Sequence, residues 1–158
     1  MARPLLCATF ALLASTVACG GRTSAPPASS PEAEGAGSPL PASVRATNDV
    51  EYHFDALTQT SGGIQVDGWA FIEKTGAKDS VISIVLRGRN GTQLVFKGWP
   101  VARHDVSEYH KNADLDDSGF TVWIPRSALG RGEYQVGVYI RRQGRDALEF
   151  TPQVVRID

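Results

Sequence analysis

The residues of this chain that could do chemistry gather in one stretch. Between Trp99 and Gly119 stand Trp99, Arg103, His104, Asp105, Tyr109 and His110. Indole and phenol rings offer apolar faces to a pyranose, and imidazole, guanidinium and carboxylate groups supply directed hydrogen bonds. That mixture suits a sugar or a polar protein surface. Trp99, Tyr109, His104 and His110 are therefore the candidate ligand contacts. Arg103 and Asp105 read as turn supports, because an aspartate can accept backbone N–H bonds and an arginine can pair with a nearby carboxylate. The stretch is about 20 residues long with few apolar positions, and such connections are usually functional or disordered.

Other constellations are weaker. His104, Asp105, Glu108 and His110 include metal-ligating types, but no second pair at ligand spacing supports them. The run Asn112 to Gly119 spaces oxygen donors two apart, as a calcium loop does. An EF-hand needs glycine at its sixth position and glutamate at its twelfth, and this chain has Asp117 and Trp123 there. The sequence therefore implies no metal and no cofactor. Arg141, Arg142 and Arg145 crowd a hairpin tip, where a solvated turn is the default reading and phosphate binding the alternative. Trp69 and Trp123 lie inside strands and read first as packing residues. There is no Gly-x-Ser-x-Gly elbow or other nucleophile signature, so the chain is read as non-enzymatic.

The N-terminus speaks of location. Arg3 precedes the apolar run Leu5 to Ala14, and small residues lead to Cys19. A basic region, a short apolar core and a small-residue cleavage site make a secretory signal over residues 1–18. The apolar run falls short of the roughly 20 residues needed to span a bilayer. Ser15-Thr16-Val17-Ala18-Cys19 resembles the lipobox of bacterial lipoproteins, in which the cysteine is acylated and becomes the first mature residue. The resemblance implies a lipid anchor on Cys19 in the bacterial cell envelope. Gly20, rather than aspartate, follows it, which in a diderm organism points to the outer membrane. Cys7 lies in the leader, so the rest of the chain has no disulfide and no thiolate chemistry. Without Arg3 the mature chain carries 15 basic and 17 acidic residues, a net charge of −2. Nucleic acid is an unsuited partner for such a chain.

These residues must be held by a scaffold. Residues 19–46 read as the lipidated cysteine and a disordered tether, since Ala, Ser, Pro and Gly fill 20 of the 27 positions from 20 to 46. From 47 to 158 the pattern changes to short apolar runs separated by turns. Val50-Tyr52-Phe54-Ala56 and Ile64-Val66-Gly68-Ala70-Ile72 alternate with polar residues. Val81 to Leu86 and Leu94 to Phe96 flank Asn90-Gly91, a hairpin signal. Phe120 to Ile124 is stopped by Pro125. Tyr134-Val136-Val138-Ile140 alternates cleanly and pairs across Gln143-Gly144 with Leu148 to Ile157, where Pro152 predicts a kink or an edge. Only Arg126 to Leu129 looks helical. The pattern predicts an all-β fold, an immunoglobulin-like antiparallel β-sandwich of about seven strands.

Four segments in order, Gly68-Trp69-Ala70-Phe71-Ile72, Arg103-His104-Asp105-Val106, Ser118-Gly119-Phe120 and Gly132-Glu133-Tyr134-Gln135-Val136-Gly137-Val138, resemble a recurrent bacterial β-sandwich module. That module stands as an accessory domain beside envelope glycosyltransferases, polysaccharide-assembly proteins and surface proteins. His104 occupies a place where the module often has proline. The resemblance implies an immunoglobulin-like sandwich and a non-catalytic role near glycans. The expected function is thus a membrane-tethered module that binds an envelope polysaccharide or an envelope protein. The alternatives are a structural or interaction subunit of a larger envelope or secretion complex, and a small glycan-processing enzyme.

Overall fold

The computed structural model describes residues 37–158. The expected signal segment 1–18, Cys19 and most of the expected tether lie outside the described residues. The fold is all-β, with two antiparallel sheets face to face. The strands are β1 (Ser38–Pro39), β2 (Val50–Gln59), β3 (Gly63–Ile72), β4 (Val81–Gly88), β5 (Gln93–Lys97), β6 (Trp99–Val101), β7 (Gly119–Pro125), β8 (Gly132–Arg142) and β9 (Arg145–Ile157). One sheet has the order β1-β5-β4-β8-β9 and the other β2-β3-β7-β6.

The inward rows are the alternating apolar positions. Ile64, Val66, Ala70 and Ile72 of β3 and Phe120, Val122 and Ile124 of β7 face Ile82, Ile84 and Leu86 of β4 and Val136, Val138 and Ile140 of β8. A period of two places one side-chain set on one face, so burying it fixes the register. Two turns use residues that tolerate positive φ. Gln143 and Gly144 both lie in the left-handed region, so β8 and β9 join through a two-residue turn. Of Asn90 and Gly91 only Gly91 does, which makes the β4–β5 connection a longer turn ending in a left-handed glycine.

Four details differ from the sequence pattern. Strand β2 shifts register between Phe54 and Ala56, which leaves Asp55 as an extra, bulged residue. Beyond the bulge the parity reverses, so Leu57, and not Ala56, turns toward the core. Second, Ser38 and Pro39 pair with β5, and Leu40 and Val44 pack on Val85, Tyr139 and Leu148. The tether expected to reach residue 46 therefore gives up residues 37–46 to the fold, because they cover an apolar patch on the outer face of the five-stranded sheet. Third, the stretch from Trp99 to Gly119 is not one irregular loop. It contains β6, the helix α1 (His104–His110) and a 3-10 segment at Ala113–Ser118. Fourth, nine strands replace the expected seven, the extra ones being the short edge strands β1 and β6. Pro152 behaves as its chemistry requires. It sits in the edge strand β9 opposite a register shift, where Thr151 Oγ1 donates to the Val136 carbonyl at 3.0 Å.

Candidate functional site

The outward side chains of β3 build the floor of the site. With Ala70 and Ile72 turned inward, Trp69 and Phe71 face out, and α1 lies across them. Val106 and Leu115 bury Phe71 and Ala77 in a small second core, with Trp69 at its rim. This packing explains why so short a helix holds its place. Its C-terminus closes on Lys111, in the left-handed region, with the Lys111 N–H bonded to the Glu108 carbonyl at 3.2 Å.

Arg103 locks the helix to the sheet. Its Nε and Nη2 donate to the two Asp105 oxygens at 2.8 and 2.7 Å, and its Nη1 donates to Asp55 Oδ2 at 2.5 Å. The guanidinium thus joins the start of α1 to the β2 bulge. Its backbone N–H also donates to the Asp116 carbonyl at 2.7 Å, which ties in the 3-10 segment. The fork–fork geometry is the strong form of a charge-assisted pair. It holds the Asp105 carboxyl down at about 2 and raises the Arg103 value well above its ordinary range. Asp105 supports the turn through this pair, and no side-chain bond caps the N-terminus of α1.

Three of the four sequence segments meet here. Gly68 passes so close to β2 that a β-carbon would sit 2.2 Å from the His53 carbonyl oxygen, and Gly119 would place one 2.6 Å from the Arg103 Cγ. Glycine in GWA makes room for the bulge that carries Asp55, and glycine in SGF makes room for the arginine that grips it.

Around this lock lies an aromatic depression of about 420 Å³, lined by His53, Asp55, Trp69, Arg103, Asp105, Val106, Tyr109 and His110. The Trp69 ring stacks against His53 on one strand neighbour and Phe71 on its own strand, at centroid separations of 6.1 and 5.7 Å. His110 meets Trp69 and Phe71 edge-on, and Tyr109 meets His110 at 5.0 Å. His110 Nε2 lies 3.6 Å from Glu51 Oε1 at the margin. Tyr109 is 83% exposed, so its ring is available to a ligand.

The candidate contacts divide. Tyr109 and His110 share the depression, and Trp69, read from sequence as a packing residue, forms its floor. His53 and Asp55 were missed. A lone glycine within an alternating strand, Gly68, was the available signal for a bulge opposite it. His104 points elsewhere, with Nδ1 at 3.2 Å from Asp116 Oδ1. Trp99 is 59% exposed, but it lines a separate hollow of about 190 Å³ with Pro100, Lys97 and Phe120. Trp123 also faces outward, across from Gln65 and over Gly63.

Among the described residues no three His, Asp or Glu side chains converge as a metal-ligand set. The acidic run is structural in part: Asn112 Oδ1 accepts the Asp114 N–H at 3.1 Å, and Leu115 is buried. The three hairpin arginines are already engaged. Arg141 pairs with Asp146 and Arg145 with Asp49, and Arg142 Nε donates to the Lys78 carbonyl.

No family model, curated protein or solved structure matches this chain.

Proposed function

We propose that this chain is a bacterial envelope lipoprotein, anchored through Cys19, whose sandwich is a non-catalytic module that binds an envelope glycan. The observation that carries the reading is the aromatic depression on the outer face of the four-stranded sheet. Trp69, Tyr109 and His53 present ring surface to solvent beside fixed hydrogen-bonding groups, and Tyr109, edge-on to His110, leaves most of its ring uncovered. Pyranose rings have apolar faces edged by hydroxyls, and a ring platform with polar groups at its rim complements both. A rigid sheet, with a helix pinned to it by Arg103, supplies the preorganisation that such weak contacts need.

Two features support the architectural side of the proposal. Lettered in chain order from β2, the sheets read A-B-E-D and C′-C-F-G, the strand partition of an immunoglobulin-type sandwich. Residues 38–44 lie along the five-stranded sheet, on the far side from the depression. A tether arriving there would leave the binding face open.

The second reading, an interaction subunit of a larger envelope complex, draws on β9. It is an edge strand whose Leu148 and Arg156 carbonyls are bonded by Thr47 and Gln59, and the stretch around Val154, more than half exposed, can accept a strand from a partner. Two experiments test the proposal. Labelled palmitate should enter the wild-type protein and not Cys19→Ser. Glycan-array binding by the purified protein alone supports the module, whereas recovery of one stoichiometric protein partner with an unresponsive array would favour the subunit.

A further inference from the structure

Resting on the glycan reading, we infer that the depression selects sugars bearing free, protonated amino groups and rejects uronates and other anionic sugars. Arg103 is the one lysine or arginine among the described residues that line it. Arg103 directs Nε, Nη1 and Nη2 at carboxylate oxygens of Asp105 and Asp55. Three of its five N–H groups are engaged in this way, and a uronate or phosphate approaching the other two meets the two carboxylates that hold the three. Among the described residues no lysine and no second arginine lines the depression. Two carboxylates face one guanidinium there, an excess of one negative charge among these groups, and Glu51 adds another at the margin.

An ammonium group meets the opposite situation. Arg103 holds Asp55 through Oδ2, and the second oxygen, Oδ1, lies 3.9 Å from His53 Nε2. That oxygen is an acceptor in a depression that it shares with the rings of His53 and Trp69. A carboxylate next to an aromatic face attracts a cation twice, by charge and by the ring quadrupole. An N-acetylated sugar keeps the stacking and loses the charge. A glucosamine-type residue, protonated on its 2-amino group, gains both.

The test titrates the purified full-length protein with three oligosaccharides of equal length: fully deacetylated glucosamine, N-acetylglucosamine and galacturonate. Oligolysine serves as a charge-only control. The deacetylated oligomer should bind about tenfold more tightly than the acetylated one, a difference that shrinks as salt screens it. Galacturonate should not bind measurably. Glu51→Gln, which removes a marginal charge without touching Arg103, should narrow the preference, and Asp55→Asn should narrow it further. Galacturonate binding as tightly as glucosamine would overturn the charge selection and leave the glycan reading standing. Failure of all three sugars would overturn the glycan reading itself. Oligolysine binding that matches glucosamine and ignores Tyr109→Ala would reduce the effect to surface charge and overturn the inference.

Discussion

A β-carbon on Gly119 would lie 2.6 Å from the Cγ of Arg103, so the absence of a side chain at the start of β7 is what lets the arginine lie flat over the sheet. The same β-carbon would be 2.3 Å from the Val101 carbonyl oxygen, which is backbone and cannot swing aside. Gly119→Ala should therefore destabilise the fold by about 1–3 kcal/mol, as overpacking does elsewhere. Denaturant melts of the two proteins check this. An unchanged midpoint would mean that β6 and Arg103 relax freely and that the lock is loose.

The lock has a pH signature. A carboxyl whose value is depressed on folding stabilises the fold above its unfolded value, and that contribution fades as pH falls through the folded value. Pairing with Arg103 holds Asp105 at about 2, against an ordinary 3.8. Asp49, Asp116 and Glu133 are lowered as well, through hydrogen bonds led by Thr47, Ser107 and Arg156 respectively. Thermal stability should accordingly be level above the ordinary carboxylate range and fall as pH drops from about 4 toward 2. Asp105→Asn should start lower and fall less steeply over that window. A variant with the wild-type slope would show that the pair contributes nothing to stability.

Residues 37–46 should matter to the sandwich. Leu40 and Val44 cover Val85, Tyr139 and Leu148, and β1 closes the edge of β5. A chain of residues 47–158 should be less stable than one of residues 37–158 by on the order of 2–4 kcal/mol, given the apolar area left bare and the compactness of real unfolded chains. Comparing their urea midpoints decides it. Equal midpoints would make the segment a passive passenger.

The strands were legible in the sequence because burial of one face imposes a period of two, and the row Tyr134, Val136, Val138, Ile140 carries it without interruption. Helix α1 was not legible. Seven residues show no 3.6-residue period, and its one apolar anchor, Val106, is meaningful only against Phe71, a strand residue 35 positions earlier. The site was half visible for the same reason. Tyr109 and His110 stood out by type, and Asp55 did not, because its role depends on a bulge and on an arginine 48 residues away. Trp99 stood out too, yet strand pairing with Thr121 carries it to a different hollow.

The most direct measurement is glycan affinity, by calorimetry on the purified protein, for wild type, Tyr109→Ala and Trp99→Ala, each with its melting temperature. Tyr109 is 83% exposed, so its removal reports on binding and not on folding. Tyr109→Ala should weaken binding roughly tenfold or more, about 1.4 kcal/mol, with the melting temperature unmoved. Trp99→Ala should leave affinity near wild type. If Tyr109→Ala binds as tightly as wild type, or Trp99→Ala is the variant that loses affinity, the depression over Trp69 is not the binding site.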